Sequence, residues 1–295
     1  MVVRRLGRAG GADAATAAVV VAVAVAAGLT GCSPGAADAA PPAVPPAGAV
    51  AVSGGRDGDD AGGGPLHTVR SAPDLLERSG TSKARTALEM ATGGTRLTIE
   101  GEGGYDFRAG RGRVRVLLPE DGDRPRRRIT ELFAPGALYM KNRGAGVPVD
   151  KWVRVDTTTL ADGNLVTGGA TDPGAAAGLL RAARGVVYLG EVHVGGVPVG
   201  HYRGTTDIGA AARLAPARLR GALAAAAKGF TTDTVPFDAY LDRTGRLRKV
   251  RHRFSFANGE REVDVVSTTV LYGFGAPVDL RLPPRRDIYA GKIAG

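Results

Sequence analysis

Apolar residues recur at every second position in one segment after another between residues 97 and 272. Leu97 and Ile99 alternate with polar neighbours, as do Val114 and Val116, and the same alternation runs through Val235–Leu241. A β-strand turns successive side chains to opposite faces of a sheet, so this pattern is typical of strands with one buried and one solvated face. Because parallel sheets are usually covered on both faces, the pattern favours an antiparallel sheet.

Turn residues divide the strands into hairpins. Gly195-Gly196 separates two alternating segments, and Asn258-Gly259 separates two more. Asn-Gly is the strongest two-residue hairpin signal, because both residues accept positive φ angles. Asp242–Gly245 joins a further pair of strands. Residues 235–272 are therefore predicted to form a three-stranded meander.

Helices are predicted in four short segments. Asp172 and Pro173 supply an N-cap and a first-turn proline, Asp207 supplies a second cap, and Pro216 opens a third helix. The segments are Gly174–Ala183, Ile208–Leu214, Ala217–Lys228 and a stretch within His67–Arg78. All are amphipathic, so they should cover one face of the sheet. The predicted fold class is α+β: a curved antiparallel sheet, or half-open barrel, with helices packed on its concave face.

The N-terminus has the pattern of an export signal. Arg4, Arg5 and Arg8 precede the uncharged apolar stretch Ala14–Leu29, which is short for a membrane span. The sequence Leu29-Thr30-Gly31-Cys32 resembles the lipobox of bacterial lipoproteins, and Cys32 is the only cysteine. We predict a signal peptide over residues 1–31 and a palmitate-type diacylglyceryl anchor on Cys32, at the extracytoplasmic face of the cell membrane. The alternative is a buried cysteine beside an uncleaved anchor. The export route, Sec or twin-arginine, stays open.

Residues 32–65 consist mainly of Ala, Pro, Gly and Asp. Such a composition buries too little apolar surface to offset the entropy of ordering, so this segment is predicted to be a disordered tether. The folded, lipid-binding part is assigned to residues 66–295. The chain carries a net charge of +10. Removal of residues 1–31, with three arginines and one aspartate, leaves +8, which attracts an anionic bilayer.

Signals for other functions are missing from the sequence. No basic run is interleaved with aromatic residues, so nucleic acid is not an expected partner. No metalloprotease helix or nucleotide-binding glycine loop occurs, and the four histidines lack metal-ligand spacing. We therefore expect a monomer that is not an enzyme and that holds no cofactor and no metal. The run Arg124–Arg128 is expected to cap a turn and start an edge strand.

Three segments carry a resemblance to a known family. Gly104–Phe107, Gly196–Asp207 and Leu241–Arg251, in this order after the lipobox and tether, resemble the LppX/LprAFG-like lipoproteins of actinobacteria, relatives of the LolA-type carriers. The resemblance covers roughly Thr68–Pro284. It implies a half-open barrel that holds lipid or lipoprotein acyl chains in an apolar cavity between sheet and helices.

Two functions follow as hypotheses. The first is a protein that binds or carries a lipid or glycolipid in an apolar cavity. Its predicted lining consists of inward strand residues, namely Leu97, Ile99, Val114, Val116, Leu138 and Met140. The second is an envelope protein of the same fold that senses or binds a protein partner without lipid cargo; it should have a filled core and an exposed apolar patch.

Overall fold

The structure is a computed structural model that describes residues 63–92, 95–119, 126–141, 146–258 and 261–290. The predicted signal peptide, Cys32 and most of the predicted tether lie outside these residues. The first element begins at Pro65, next to the boundary predicted between tether and folded part.

Four α-helices are present in the described part of the chain: α1 Pro65–Ser79, α2 Pro173–Leu179, α3 Ile208–Leu214 and α4 Ala217–Gly229. A 3-10 turn, Leu180–Ala182, continues α2, and another lies at Arg285–Asp287. Both predicted caps are confirmed. Oδ1 of Asp172 accepts the backbone N–H groups of Gly174 and Ala175, and Oδ1 of Asp207 accepts that of Ala210.

The described strands form one open antiparallel sheet, which confirms the predicted fold class. They are β1 Thr81–Thr92, β2 Thr95–Asp106, β3 Arg111–Leu118, β4 Arg127–Ala134, β5 Ala137–Lys141, β6 Trp152–Asp156, β7 Ala183–Val194, β8 Val197–Asp207, β9 Thr234–Asp242, β10 Leu247–Asn258 and β11 Arg261–Tyr272. Their order across the sheet is β6-β5-β4-β3-β2-β1-β11-β10-β9-β8-β7.

Two meanders, β1–β6 and β7–β11, share a seam at which β1 pairs with β11. The predicted meander over residues 235–272 is confirmed, as is the hairpin at Gly195-Gly196. One expectation was wrong: the strand after the Arg124–Arg128 run, β4, lies between β3 and β5. It is interior because β5 and β6 follow it and extend the sheet.

The two faces of the sheet differ in chemistry. The inner face carries the alternating apolar residues, and the apolar faces of α1, α2 and α4 complete one continuous core with it. Most charged strand residues lie on the outer face, for example Arg113 and Arg115 of β3, whereas Glu131 of β4 is buried on the inner face. This division places any apolar ligand site between the sheet and the helices.

Candidate ligand-binding interior

The six residues predicted to line a cavity share one face of the sheet and one apolar cluster: Leu97, Ile99, Val114, Val116, Leu138 and Met140. Five are buried, and Leu97 is half-buried against the same cluster. They lie side by side because β2 pairs with β3, β3 with β4 and β4 with β5, in registers that turn all six side chains to the same face. The structure thus brings them together, while their contact with a ligand stays a prediction.

Gly101 allows close packing within this face. A Cβ on Gly101 would lie 2.6 Å from Oγ1 of Thr86 and 2.7 Å from Cγ1 of Val114. Both distances are shorter than an ordinary van der Waals contact, so a larger residue at position 101 would push the side chains of Thr86 and Val114 away. The glycine therefore lets β1 and β3 side chains meet across β2.

Helix α2 lies over the inner face, and all seven of its residues are buried. Its sequence, Pro-Gly-Ala-Ala-Ala-Gly-Leu, has only one large side chain. A Cβ on Gly174 would lie 2.4 Å from the hydroxyl oxygen of Tyr105. The small residues thus bring the helix backbone directly onto the ring of a buried tyrosine.

Burial raises the pKa of two groups at the start of α2. The carboxyl group of Asp172 has a raised pKa because burial disfavours its charge, although the nearby hydroxyl of Tyr105 and the backbone N–H groups of Ala175 and Gly174 partly offset this effect. Burial also raises the pKa of Tyr105, and the nearby charge of Asp172 adds to the effect. Tyr105 therefore stays neutral.

His252 is fully buried on the inner face of β10. Its ring centroid lies 5.7 Å from that of Phe254 and 6.3 Å from that of Phe237. Within the described residues neither ring nitrogen has a hydrogen-bond partner. Burial lowers the pKa of His252 to about 3, so the imidazole is neutral at physiological pH.

Buried hydroxyl groups accompany this imidazole. Thr86 and Thr269 face each other across β1 and β11, and neither Oγ1 has a hydrogen-bond partner among the described residues. Ser267, directly across from His252, forms a 2.5 Å hydrogen bond with Thr171. We call Thr86, Thr269, Ser267 and His252 the inner polar group; it lies on the same face as the predicted lining residues and as the buried side chain of Glu131.

Little open space remains beside the start of α2. A concavity lined by Tyr105, Gly174, Gly178, Leu219 and other residues of α1, α2 and α4 has a volume of only about 10 Å³. That is roughly the space of one water molecule. The predicted lining residues therefore pack against helices and against one another.

A larger concavity of about 350 Å³ opens on the outer face over β1, β2, β3 and β11. Arg85, Glu102 and Arg115 line it together with Leu117 and Val270. Glu102 has a lowered pKa, because the hydroxyl of Tyr272 donates to it at 2.6 Å and Arg85 lies 3.4 Å away. A concavity with these exposed charges does not suit an acyl chain.

A buried carboxylate organises the outer face of β8–β10. Asp238 accepts hydrogen bonds from Nε2 of His201 and Nε of Arg203, both at 2.9 Å, and from Nη2 of Arg253 at 3.0 Å. Burial opposes the charge of Asp238, but the bonds from His201 and Arg203 outweigh it and lower the pKa. The sequence analysis missed this network; its signal was an outward acidic residue, Asp238, between outward cations of the two adjacent strands.

Two histidines flank the Gly195-Gly196 hairpin. His193 is exposed and pairs in register with Pro198, whereas His201 bonds to Asp238. Across the described ranges, no three histidine, aspartate or glutamate side chains converge as metal ligands. Among the helices of the same ranges, none is both long and apolar enough to span a bilayer.

Solved structures similar to this chain include two mycobacterial lipoproteins. LprF from Mycobacterium bovis shares 12% identity, with a TM-score of 0.38 and with 74% of this chain and 96% of LprF covered. The Mycobacterium tuberculosis lipoprotein LppX shares 10% identity, with a TM-score of 0.39 and coverage of 73% and 97%.

A LolA-superfamily protein from Nitrosomonas europaea is also similar, at 11% identity and a TM-score of 0.31, over 75% of this chain and 96% of that protein. No protein-family model matches the chain, and no curated protein matches its sequence. LppX, LprF and a LolA-superfamily protein are therefore among the solved structures to which this chain is similar.

Proposed function

We propose that this chain is a lipid-anchored protein of the extracytoplasmic membrane surface that binds a lipid or acyl chain between its sheet and its helices. The mechanism needs no reactive side chain and no cofactor. Removal of acyl-chain surface from water drives binding, at about 25 cal/mol per Å² of apolar area.

The observation that carries the proposal is the apolar inner face beneath a helix of small residues. The cluster extends from Val153 of β6 to Val235 and Phe237 of β9, so it is long enough to follow an extended chain. Helix α2 contacts it almost entirely through Ala, Gly and Pro. Small side chains bury little area each, so displacement of α2 costs less than displacement of a leucine-rich helix.

The inner polar group provides a second argument. An unpaired buried hydroxyl or imidazole costs about 1–3 kcal/mol, and Thr86, Thr269 and His252 are such groups. A ligand with an ester, hydroxyl or sugar oxygen offers them partners. Ligand binding would then relieve a cost that the closed form carries.

Uptake requires a conformational change, because most of the predicted lining residues are buried in this structure. We propose that α2, with the 3-10 turn Leu180–Ala182, moves away from β10 and β11 while the sheet keeps its hydrogen bonds. A ligand stabilises such an open form only by binding it more tightly than the closed form.

Photo-crosslinking tests this proposal. The full chain is incubated with a fatty acid that carries a diazirine near its methyl end, irradiated, digested and mapped by mass spectrometry. We expect adducts on inner-face residues such as Val114, Val116 and Leu138, and competition by unlabelled lipid. Adducts confined to outer-face residues such as Arg113 and Arg115, or none above a heat-denatured control, would contradict it.

The closed interior favours a second candidate, an envelope protein that binds a protein partner and carries no lipid. Its core is filled, as that function requires, and exposed apolar residues are present on β7. Crosslinking in intact cells distinguishes the two. A defined protein adduct without any inner-face lipid adduct would support the second function.

A further inference from the structure

The two edges of the sheet differ in how they are covered. At the β6 edge, Trp152 pairs with Ile288, and the backbone N–H of Tyr289 donates to the carbonyl oxygen of Trp152 at 2.8 Å. At the β7 edge, three consecutive side chains are exposed: Val187 by 51%, Tyr188 by 51% and Leu189 by 47%. Val192, on the same strand, is also exposed. We call these four residues the β7 patch.

Irregular pairing explains why consecutive apolar residues reach solvent. The register between β7 and β8 shifts between Arg184 and Val187 and again between Tyr188 and Gly190. Gly190 has a φ of +114°, which a residue with a side chain rarely adopts. Such bulges make an edge a poor template for another strand. An added β-strand is therefore not the occupant that this edge fits.

The start of the folded part packs against the beginning of β7. Arg181, just before β7, bonds to Asp74 and Glu77 of α1, while Nε of Arg70 donates to the carbonyl oxygen of Ala183 at 3.0 Å. Leu66, in the first turn of α1, is exposed as well.

The chain that precedes α1 leads to Cys32. Between Cys32 and Gly63 it spans at most roughly 100 Å when fully extended. An anchor at Cys32 would therefore keep the patch within reach of the bilayer.

Charge and side-chain chemistry agree with a membrane partner. Residues 1–62 hold four arginines and five aspartates, so the rest of the chain carries a net charge of +11. An anionic bilayer attracts such a domain. Tyr188 lies 5.3 Å from the half-buried Tyr202, and tyrosines favour the interface between headgroups and acyl chains. A bilayer also accepts an irregular apolar surface, because its contacts are not directional.

We propose that the β7 patch docks the folded part onto an anionic phospholipid bilayer. This inference rests on the proposed membrane location. It places the β7 edge at the lipid surface and leaves the β6 edge facing away.

Depth-dependent fluorescence quenching tests the docking. The acylated full chain is reconstituted into vesicles of phosphatidylcholine and phosphatidylglycerol. Its mass shows whether the anchor is attached, and its flotation with the vesicles shows whether the anchor holds the protein to them. Since acylated Cys32 has no free thiol, Leu189→Cys takes a single fluorescent label, and Arg154→Cys, exposed on β6, takes the control label. We expect brominated lipids to quench the label at 189 and not the label at 154. Equal quenching of both labels in a protein that floats would overturn the docking and leave the anchor intact.

A charge-matched pair of variants provides a second measurement. Val187→Glu with Leu189→Glu should lower the ratio of docked to undocked protein by about tenfold or more, since apolar burial is lost and charge repels the anionic surface. The control pair, Thr98→Glu with Ala217→Glu, changes the net charge equally but at exposed sites outside β7. It should lower the ratio of docked to undocked protein much less. Equal effects of both pairs, or a stable dimer through β7 in vesicle-free solution, would overturn the proposal.

Discussion

His252 lies directly across from Ser267 on the inner face, yet neither nitrogen of its ring has a hydrogen-bond partner among the described residues. The imidazole is enclosed by Phe237 and Phe254 instead. A neutral, unpaired imidazole in a protein core is a group whose removal should leave the fold intact.

His252→Leu is therefore expected to raise the free energy of unfolding at pH 7 by about 1–2 kcal/mol, because an unpaired polar group is replaced by an apolar one. Urea denaturation measures the change. His193→Leu, at an exposed position, is the control and should change stability by less than about 0.5 kcal/mol. A loss of stability in His252→Leu would show that the imidazole has a partner.

The same residue makes stability depend on pH. The pKa of His252 is lowered from 6.5 to about 3, so below pH 6.5 the unfolded chain binds a proton that the folded chain does not. Stability from this group is complete above pH 6.5 and falls as pH drops towards 3. Between pH 7 and pH 5 the loss should be about 2 kcal/mol, at 1.36 kcal/mol per pH unit below 6.5. In His252→Leu this part of the slope should disappear, whereas His193→Leu should keep it.

Asp238→Asn should destabilise the fold by about 2 kcal/mol, because His201, Arg203 and Arg253 lose the charge of their common acceptor. Glu191→Gln removes an exposed carboxylate 3.6 Å from Arg243 and should cost less than about 0.5 kcal/mol. Thermal and urea denaturation compare the two. The lowered pKa of Asp238 implies stabilisation that is present above its usual value of 3.8 and is lost as pH falls through the folded-state pKa.

Gly174→Ala tests the contact between α2 and the sheet. The new methyl group would meet the hydroxyl of Tyr105, so we expect a loss of about 1–3 kcal/mol. Gly209→Ala in α3 has neighbours no closer than 3.5 Å and should gain up to about 1 kcal/mol in helix propensity. Partial recovery in Gly174→Ala with Tyr105→Phe would identify the hydroxyl as the obstacle. Equal costs for both glycines would refute a specific clash.

Cys32→Ala tests the proposed anchor. The variant should fail to incorporate an alkyne analogue of palmitate and should leave the detergent phase for the aqueous phase in Triton X-114 partitioning. The physical reason is that two acyl chains hold a protein stably, at about 0.8 kcal/mol per buried methylene, whereas none remains in the variant. Label that persists in Cys32→Ala would place acylation elsewhere.

The sequence predicted the sheet where alternation was regular. Val235–Leu241 and its partners follow a strict period of two, and Asp172 and Asp207 cap helices through local bonds, so both could be deduced from neighbouring residues. By contrast, residues 184–190 of β7 escaped prediction because bulges interrupt the alternation. Their apolar run was the only signal.

The interior shows a similar division. The alternation of side chains along each strand was enough to place Val114, Val116 and Leu138 on one face. Closure of the interior could not be deduced, because it depends on how near α2 comes to Tyr105, a contact between residues about 70 positions apart. Packing between residues so far apart in the sequence produces no periodic pattern from which it could be predicted.

The seam between β1 and β11 has a consequence for how the protein matures. Lys83 and Tyr272 pair across it although 189 positions separate them. Closure of so long a loop is entropically costly, and domains rich in distant pairings acquire their structure slowly. The first meander is therefore synthesised well before its central neighbour, and it presents an unpaired β1 until β11 follows. A chaperone that shields such an edge would act on this nascent half.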